Sequence, residues 1–358
     1  MKQLLTKMLL FIAVMTLSSC GGFIDAVIGV DDNPVSEKPT APSTDEDSTT
    51  PAPLEPQTST EAVAFSTEAD LKGAINAVYL NAALMISYQQ TLEAFRLKKI
   101  DAETFGSSNI NAENTTLSQT WINAYTAISR ANYIIGHLED GDYDYPTDYY
   151  LAEATALRSF VYYQLAMLWG DVPLVTEETD LFASLPTTKN EDVLTYAYNQ
   201  LNGILEKFNS TNDAAHFSKI SAQALKAEIL LTINKNDDAK TLLSEIKDQV
   251  GDDAFHVHFI SDNLEMIPAS YVSNLNSTSD FCIYNKTYID FLYREASGDT
   301  EGLADTWYSS THLYGVWAAM KRLGVAQAKA ACEEYELLMP IPMNELYLNP
   351  SIIQNPGY

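Results

Sequence analysis

The sequence predicts an all-α fold: tetratricopeptide-like helical repeats with irregular loops and an extended C-terminal tail. Three observations carry it. Apolar residues recur at helical spacing through most of residues 66–249. Strand-type alternation is confined to a weak signal at Phe255–Ile260, around His256 and His258. The last 21 residues, LMPIPMNELYLNPSIIQNPGY, carry proline and asparagine at turn spacing instead of an apolar period.

Taken in order, Thr67 with Asp70 resembles a capping box and opens a helix running to about Leu97, with Leu71, Ile75, Val78 and Tyr79 on one face. A polar loop rich in asparagine (Asn109, Asn111, Asn114) follows, and then Trp121, Tyr125, Ile128, Ile135 and Leu138 recur at helical spacing. Thr147 is placed to cap a third helix whose stripe is Tyr150, Ala154, Leu157, Val161, Leu165 and Leu168, with Gly170 where a C′ glycine belongs. Asn190 starts a fourth, through Leu205. A fifth and sixth, about 218–233 and 236–249, are joined by Asn234-Lys235-Asn236, and their alanines (222, 224, 227 and 239) suit close antiparallel approach. Helix pairs of this length look like tetratricopeptide-type repeats, although no strict 34-residue identity recurs.

Ahead of this body, Lys2 and Lys7 precede an apolar run, Met8–Leu17, and small residues lead to Cys20. A basic start, about ten apolar residues and a small-residue cleavage site read as a secretory signal too short to span a bilayer. Leu17-Ser18-Ser19-Cys20 looks like a lipobox, which makes Cys20 the expected acylated first residue of the processed chain. Residues 31–64 contain six prolines, ten Ser/Thr, eight acidic residues and one basic residue. Such a stretch lacks the apolar surface to offset ordering entropy and is kept extended by proline and like charge. The expected organisation is therefore a signal at 1–19, a lipid-anchored flexible linker at 20–64, and a single helical domain at 65–358.

The formal net charge of −27 disfavours nucleic acid, anionic lipid headgroups and polyanionic ligands. With Cys20 lipidated, Cys282 and Cys332 remain; an exporting compartment permits a bridge between them and equally permits two buried thiols. No cofactor is expected, because phosphate-cradling glycine loops, Gly-x-Ser-x-Gly and His-Glu-x-x-His are all absent from the sequence. Asp140-Gly-Asp142-Tyr-Asp144 opens like a calcium loop but lacks its sixth-position glycine, and Leu151 stands where the bidentate glutamate belongs. His256 and His258 lack a third ligand, so no metal site is assigned. A glycosidase pair among 48 acidic residues has no sequence support.

The tail itself predicts an extended, turn-rich segment pinned to the body, since Pro340 and Pro342 fix φ and Gln354-Asn355-Pro356-Gly357-Tyr358 forms a turn ending in an aromatic. Pro-x-Pro, Leu-Asn-Pro and Gln-Asn-Pro-Gly-Tyr in this order resemble the closing signature of the SusD/RagB family of surface nutrient-binding lipoproteins. WINAYTAISRANYIIGHLE (121–139) and AEATALRSFVYYQLAMLWGDVPLV (152–175) resemble its internal helices, the second ending in Gly-Asp-Val-Pro-Leu. The resemblance runs from about residue 66 to 358. It implies a non-enzymatic, lipid-anchored outer-membrane protein facing the cell exterior. Such a protein binds a nutrient, foremost an oligosaccharide, and hands it to a SusC-like TonB-dependent transporter. Peptide or other nutrient binding on the same scaffold, or a structural or adhesive role, is the alternative. Family members are commonly longer, and only residues 250–337 stand here where they carry large inserts, so a reduced or altered pocket is expected.

Glycan recognition calls for aromatic faces and for amides that bond hydroxyls. Residues 271–317 hold six Tyr and two Trp, and the cluster containing Trp307, Tyr308 and Tyr314 lacks a helical stripe, which makes those three the candidate platform. Asn109 and Asn111, in the loop after the first helix, are the candidate hydroxyl partners. Trp121 and Trp169 lie on helical stripes and are assigned to the core.

Overall fold

The computed structural model describes residues 64–97, 101–180, 183–208, 216–249, 284, 286–303, 316–323 and 338–358. Its helices are α1 (Glu68–Arg96), α2 (Ala102–Phe105), α3 (Thr115–Asp140), α4 (Asp148–Trp169), α5 (Asn190–Ile204), α6 (Lys219–Thr232), α7 (Asn236–Lys247), α8 (Lys286–Ala296), α9 (Val316–Leu323) and α10 (Met343–Leu348). Among the described residues there is no strand, only one isolated bridge between Val172 and Thr188. The expected strand at Phe255–Ile260 lies outside them, as do Cys282 and Cys332.

Local chemistry sets the helix starts. At α1 the Thr67 side chain accepts from the Asp70 amide, and the Asp70 carboxylate accepts from the Thr67 amide, a reciprocal cap. Asn114 caps α3 through the Leu117 amide at 3.0 Å. Thr147 does occupy the N-cap of α4, but its side chain makes no capping bond there, contrary to expectation. Between α6 and α7 the chain reverses on Asn234, a left-handed residue at φ +60°.

Helix α1 packs along α3, α3 against α4, and α4 also meets α1, α5 and α6, after which α6, α7 and α8 pack on one another. The third-helix stripe expected from the sequence is a full cylinder: every residue of α4 from Ala152 to Trp169 is buried. Neighbours on all sides, with alanines at 152, 154, 156 and 166 letting them approach, leave this helix no solvent face. Trp121 and Trp169 are core residues as expected, meeting edge to face at 5.1 Å.

Complete burial creates a problem at the end of α4, because the last four carbonyls of any helix have no partner within it. Here each is met from elsewhere in the chain. Ala166 O accepts from the C-cap Gly170 amide at 3.1 Å and also from Asn190 Nδ2 at 2.7 Å, and Met167 O accepts from Lys321 Nζ at 2.6 Å. Leu168 O accepts from the Met339 amide at 2.7 Å, and Trp169 O from Asn355 Nδ2 at 3.0 Å. The Lys321 ammonium also places positive charge at the negative end of the helix dipole.

Gly170 turns the chain away at φ +78°, ψ −110°, a conformation side chains resist, and a Cβ there would sit 3.1 Å from Leu338 Cδ1. The following loop is clamped from below. Tyr125 Oη donates to Pro173 O at 2.9 Å, Tyr162 Oη to Val175 O at 2.6 Å, and Asn132 Nδ2 to Val175 O at 3.1 Å. Buried Arg158 reaches Asn132 Oδ1 at 2.7 Å, Gln200 Oε1 at 2.9 Å and the Glu177 carboxylate.

A second polar cluster ties α9 to the body. Glu228, fully buried on α6, accepts from Tyr284 Oη at 3.0 Å and Tyr288 Oη at 2.5 Å and faces Arg322 at 3.5 Å. Arg322 in turn holds Glu295 through Nε at 2.7 Å and Nη2 at 2.9 Å. Burial pushes the Glu228 carboxyl up, opposed by Arg322 and the tyrosine hydroxyls. Breaking such a buried pair from one side costs about 3–5 kcal/mol.

Two outcomes are expected in unfolding experiments. Gly170→Ala should cost about 1–3 kcal/mol, from the positive φ and the Leu338 contact. Asn355→Ala should cost a similar amount, roughly 1–3 kcal/mol, because two buried carbonyls lose their donor. Urea titrations with matched slopes test both.

The pH dependence of stability carries a third. Glu93 is buried, with Gln89 Nε2 at 2.8 Å from one oxygen, and desolvation raises its carboxyl to about 8 against an ordinary 4.5. A carboxyl raised in the folded state stabilises fully below its unfolded value, and that contribution is lost as pH climbs through the folded value. Wild-type stability should therefore fall between pH 4.5 and about 8, and Glu93→Gln should flatten that part of the pH profile.

Candidate functional site

The tail is built against the end of α4 and the asparagine loop. Met339 and Ile341 are fully buried, and Trp169 Nε1 donates to Pro340 O at 2.8 Å. Gln354 closes the tail on itself, its Oε1 accepting from the Ile341 amide at 2.6 Å and its Nε2 donating to Ile341 O at 3.0 Å. Asn355 Nδ2 adds Met339 O at 2.7 Å to its bond with Trp169 O. Arg96, buried at the end of α1, donates to Tyr358 Oη at 2.5 Å and lies 3.3 Å from Met339 Sδ. The docked tail expected from the sequence is present in full.

Where the tail crosses the asparagine loop, the Met343 amide donates to Ala112 O at 2.8 Å. The junction forms an open groove of about 330 Å³ lined by Asn111, Ala112, Glu113, Met343, Leu346, Gln354 and Tyr358. Its floor is apolar, with methionine, leucine, alanine and an aromatic ring. Its polar groups are two amides and one carboxylate. Met343 and Leu346, three residues apart on α10, present one face to it. Glu345 belongs to the opposite side: burial raises its carboxyl, and the Trp121 indole lowers it in part by hydrogen bonding.

The two asparagine candidates separate. Asn111 lines the groove, exposed, with its Oδ1 occupied by the Glu113 amide at 3.0 Å. Asn109 is exposed in the preceding turn, its amide and carbonyl bonded to Ser107 Oγ, and does not line the groove. Trp307, Tyr308 and Tyr314, like Cys20, lie outside the described residues. Three neighbouring aromatics of the same stretch are core: Tyr284, Tyr288 and Trp317 are each at most 1% exposed. Their burial removes them from any ligand platform.

Sequence reasoning did not find Met343, Leu346, Gln354 and Tyr358 as a wall of the groove. The tail was legible as docked, but the loop it docks against is 230 residues away, and no local pattern encodes that pairing. Several residues that carried the family resemblance turn out to hold the scaffold. Tyr125, Asn132, Arg158 and Gly170 fix the loop after α4. Among the described residues, no three His, Cys, Asp or Glu side chains converge as a metal site would require, and no helix is long and apolar enough to cross a membrane.

Comparison with known proteins agrees with this architecture. Residues 55–231 match a SusD-like family described as starch-binding and associating with the outer membrane. The chain is 30% identical over 149 residues to SusD-like protein P38 of Formosa agariphila, and 23% identical over 133 residues to a SusD-like protein of Bacteroides ovatus. These stretches cover 41% and 36% of this chain but only 29% and 24% of those relatives. In three dimensions it resembles a laminarin-binding SusD-like protein with a TM-score of 0.65 at 17% identity, over 82% of this chain and all of that one. At that identity the likeness speaks for the fold. With the matched residues and the helical architecture in agreement, residues 55–231 belong to the SusD-like family.

Proposed function

We propose that this protein binds an oligosaccharide at the cell surface without transforming it, and delivers it to a SusC-like TonB-dependent transporter in the outer membrane. The observation that carries the reading is the groove between the asparagine loop and the tail. Its apolar floor and the Tyr358 ring suit the C–H face of a sugar, and Asn111 supplies an amide for hydroxyls. The family match supports the same class of ligand. The net charge of −27 favours an uncharged saccharide over a sulfated or uronate chain.

Trp307, Tyr308 and Tyr314 extend the binding surface in this proposal, on the strength of their sequence context. Cys20 supplies the lipid attachment, residues 20–64 supply reach, and residues 65–358 form one recognition domain. A body tethered beside a co-anchored transporter meets it at high effective concentration, so modest affinity suffices.

The full-length protein in detergent, screened on a glycan array and titrated by calorimetry against the best ligand, tests the reading. Tyr358→Leu should weaken binding about tenfold, while Tyr358→Phe, which keeps the ring, should stay within about twofold. Asn111→Ala should weaken it by a similar margin. Circular dichroism should be unchanged in all three. Absence of binding to any glycan, or selective binding of peptides, would move the assignment to the alternative nutrient class.

A further inference from the structure

Outside the groove, the tail has a second face. Among the described residues five large apolar side chains are more than a third exposed, and four of them fall within residues 347–358: Tyr347 at 77%, Leu348 at 39% and Ile353 at 82% outside the groove, and Tyr358 at 39% on its rim. They are not on a frayed end. Asn349 Nδ2 donates to Leu185 O at 2.7 Å, the Ile352 amide donates to Asn349 O at 3.0 Å, and Ile352 is buried beside exposed Ile353. A segment this firmly bonded presents its outward side chains already ordered, so a partner meets them at little entropic cost. Clustered, ordered apolar exposure marks an interaction surface.

Charge selects the occupant. Residues 338–358 carry one carboxylate side chain, Glu345, which is partly buried, and no basic side chain, in a chain of net charge −27. The surface is thus a neutral apolar island in an acidic molecule, with exposed Glu113 beside Tyr358 at its edge. A second copy would bring another −27 against it, and an anionic lipid surface would be repelled in the same way. A neutral apolar centre with an acidic margin is complementary to a protein face that is apolar at its centre and carries Lys or Arg around it.

We propose that the outward face of residues 347–358, centred on Tyr347 and Ile353, is the docking surface for the outer-membrane transporter, met through an apolar patch with a basic margin on that partner. The partner's identity rests on the function proposed above. The placement puts the mouth of the groove, through Tyr358, next to the protein that receives the ligand.

The test uses the full-length chain in its native outer membrane, with a photo-crosslinking residue at Tyr347, at Ile353 or, as control, at exposed Asn236 on α7. The expected result is one adduct from the first two positions and none from the third, with mass spectrometry placing it on a transporter peptide that borders on Lys or Arg. The double variant Tyr347→Asp/Ile353→Asp should lower the yield of co-purified transporter about tenfold or more. Its circular dichroism should not change, and its glycan affinity should stay within about twofold. An adduct between two copies of this chain, a lipid adduct, an adduct on any other protein, equal labelling at Asn236, or undiminished co-purification would each overturn the proposal. Loss of the glycan reading alone would leave the crosslinks intact, which separates the two failures.

Discussion

The end of α4 lies where water does not reach, and its four last carbonyls must be satisfied there or the helix must end elsewhere. Asn190, Lys321, Met339 and Asn355 each bond one of them, from three separate segments of the chain. Two of these belong to the tail, one to α9 and one to the start of α5. A single local requirement thus fixes the position of three segments that share no sequence neighbourhood. Gly170 is part of the same arrangement, since only a residue without a Cβ can leave the helix so sharply beside Leu338. The Gly-Asp turn after α4 and the Asn-Pro-Gly-Tyr turn of the tail therefore answer one constraint from its two sides.

That constraint also explains why so much polarity is tolerated in a helical core. Arg158, Glu153 and Glu228 are fully buried, the Arg322 side chain is 5% exposed, and each bonds to side chains on other helices. Isolated, any of them would be costly to bury. Networked, they bond α4 to α5 through Gln200, to α1 through Tyr79 and to α9 through Arg322. Apolar contacts tolerate sliding between helices, whereas a hydrogen-bonded arginine does not.

What was legible in the sequence follows the range of the interactions. The capping box of Thr67 and Asp70, the turn at Asn234 and the apolar stripes of α1 and α3 are set within a few residues, and they read correctly. Helix α4 was readable as a helix but not as a buried cylinder, because alanine fits a buried or an exposed face alike. Asn109 and Asn111 look equivalent in a loop of asparagines; only contact with a tail more than 200 residues later puts one on the groove and leaves the other outside it. Tyr284 and Tyr288 stand in a tyrosine-rich stretch with no local sign of burial; Glu228, some 56–60 residues earlier, takes their hydroxyls into the core.

The tail's two faces are products of the same hydrogen bonds. Gln354 and Asn355 spend their amides on Ile341, Met339 and Trp169, which pulls Ile352 inward and leaves its neighbour Ile353 facing out. With Ile352 buried and its neighbour Ile353 82% exposed, the bonds that pin one side also determine what the other displays. An inner face that must seal a helix end thus helps to fix the outer face, together with the bond of Asn349 to Leu185 O. Groove and exposed apolar side chains both depend on that seal. In the proposed reading, a change at Asn355 or Gly170, neither of which lines the groove, would act on ligand binding by loosening the segment that carries Leu346 and Tyr358.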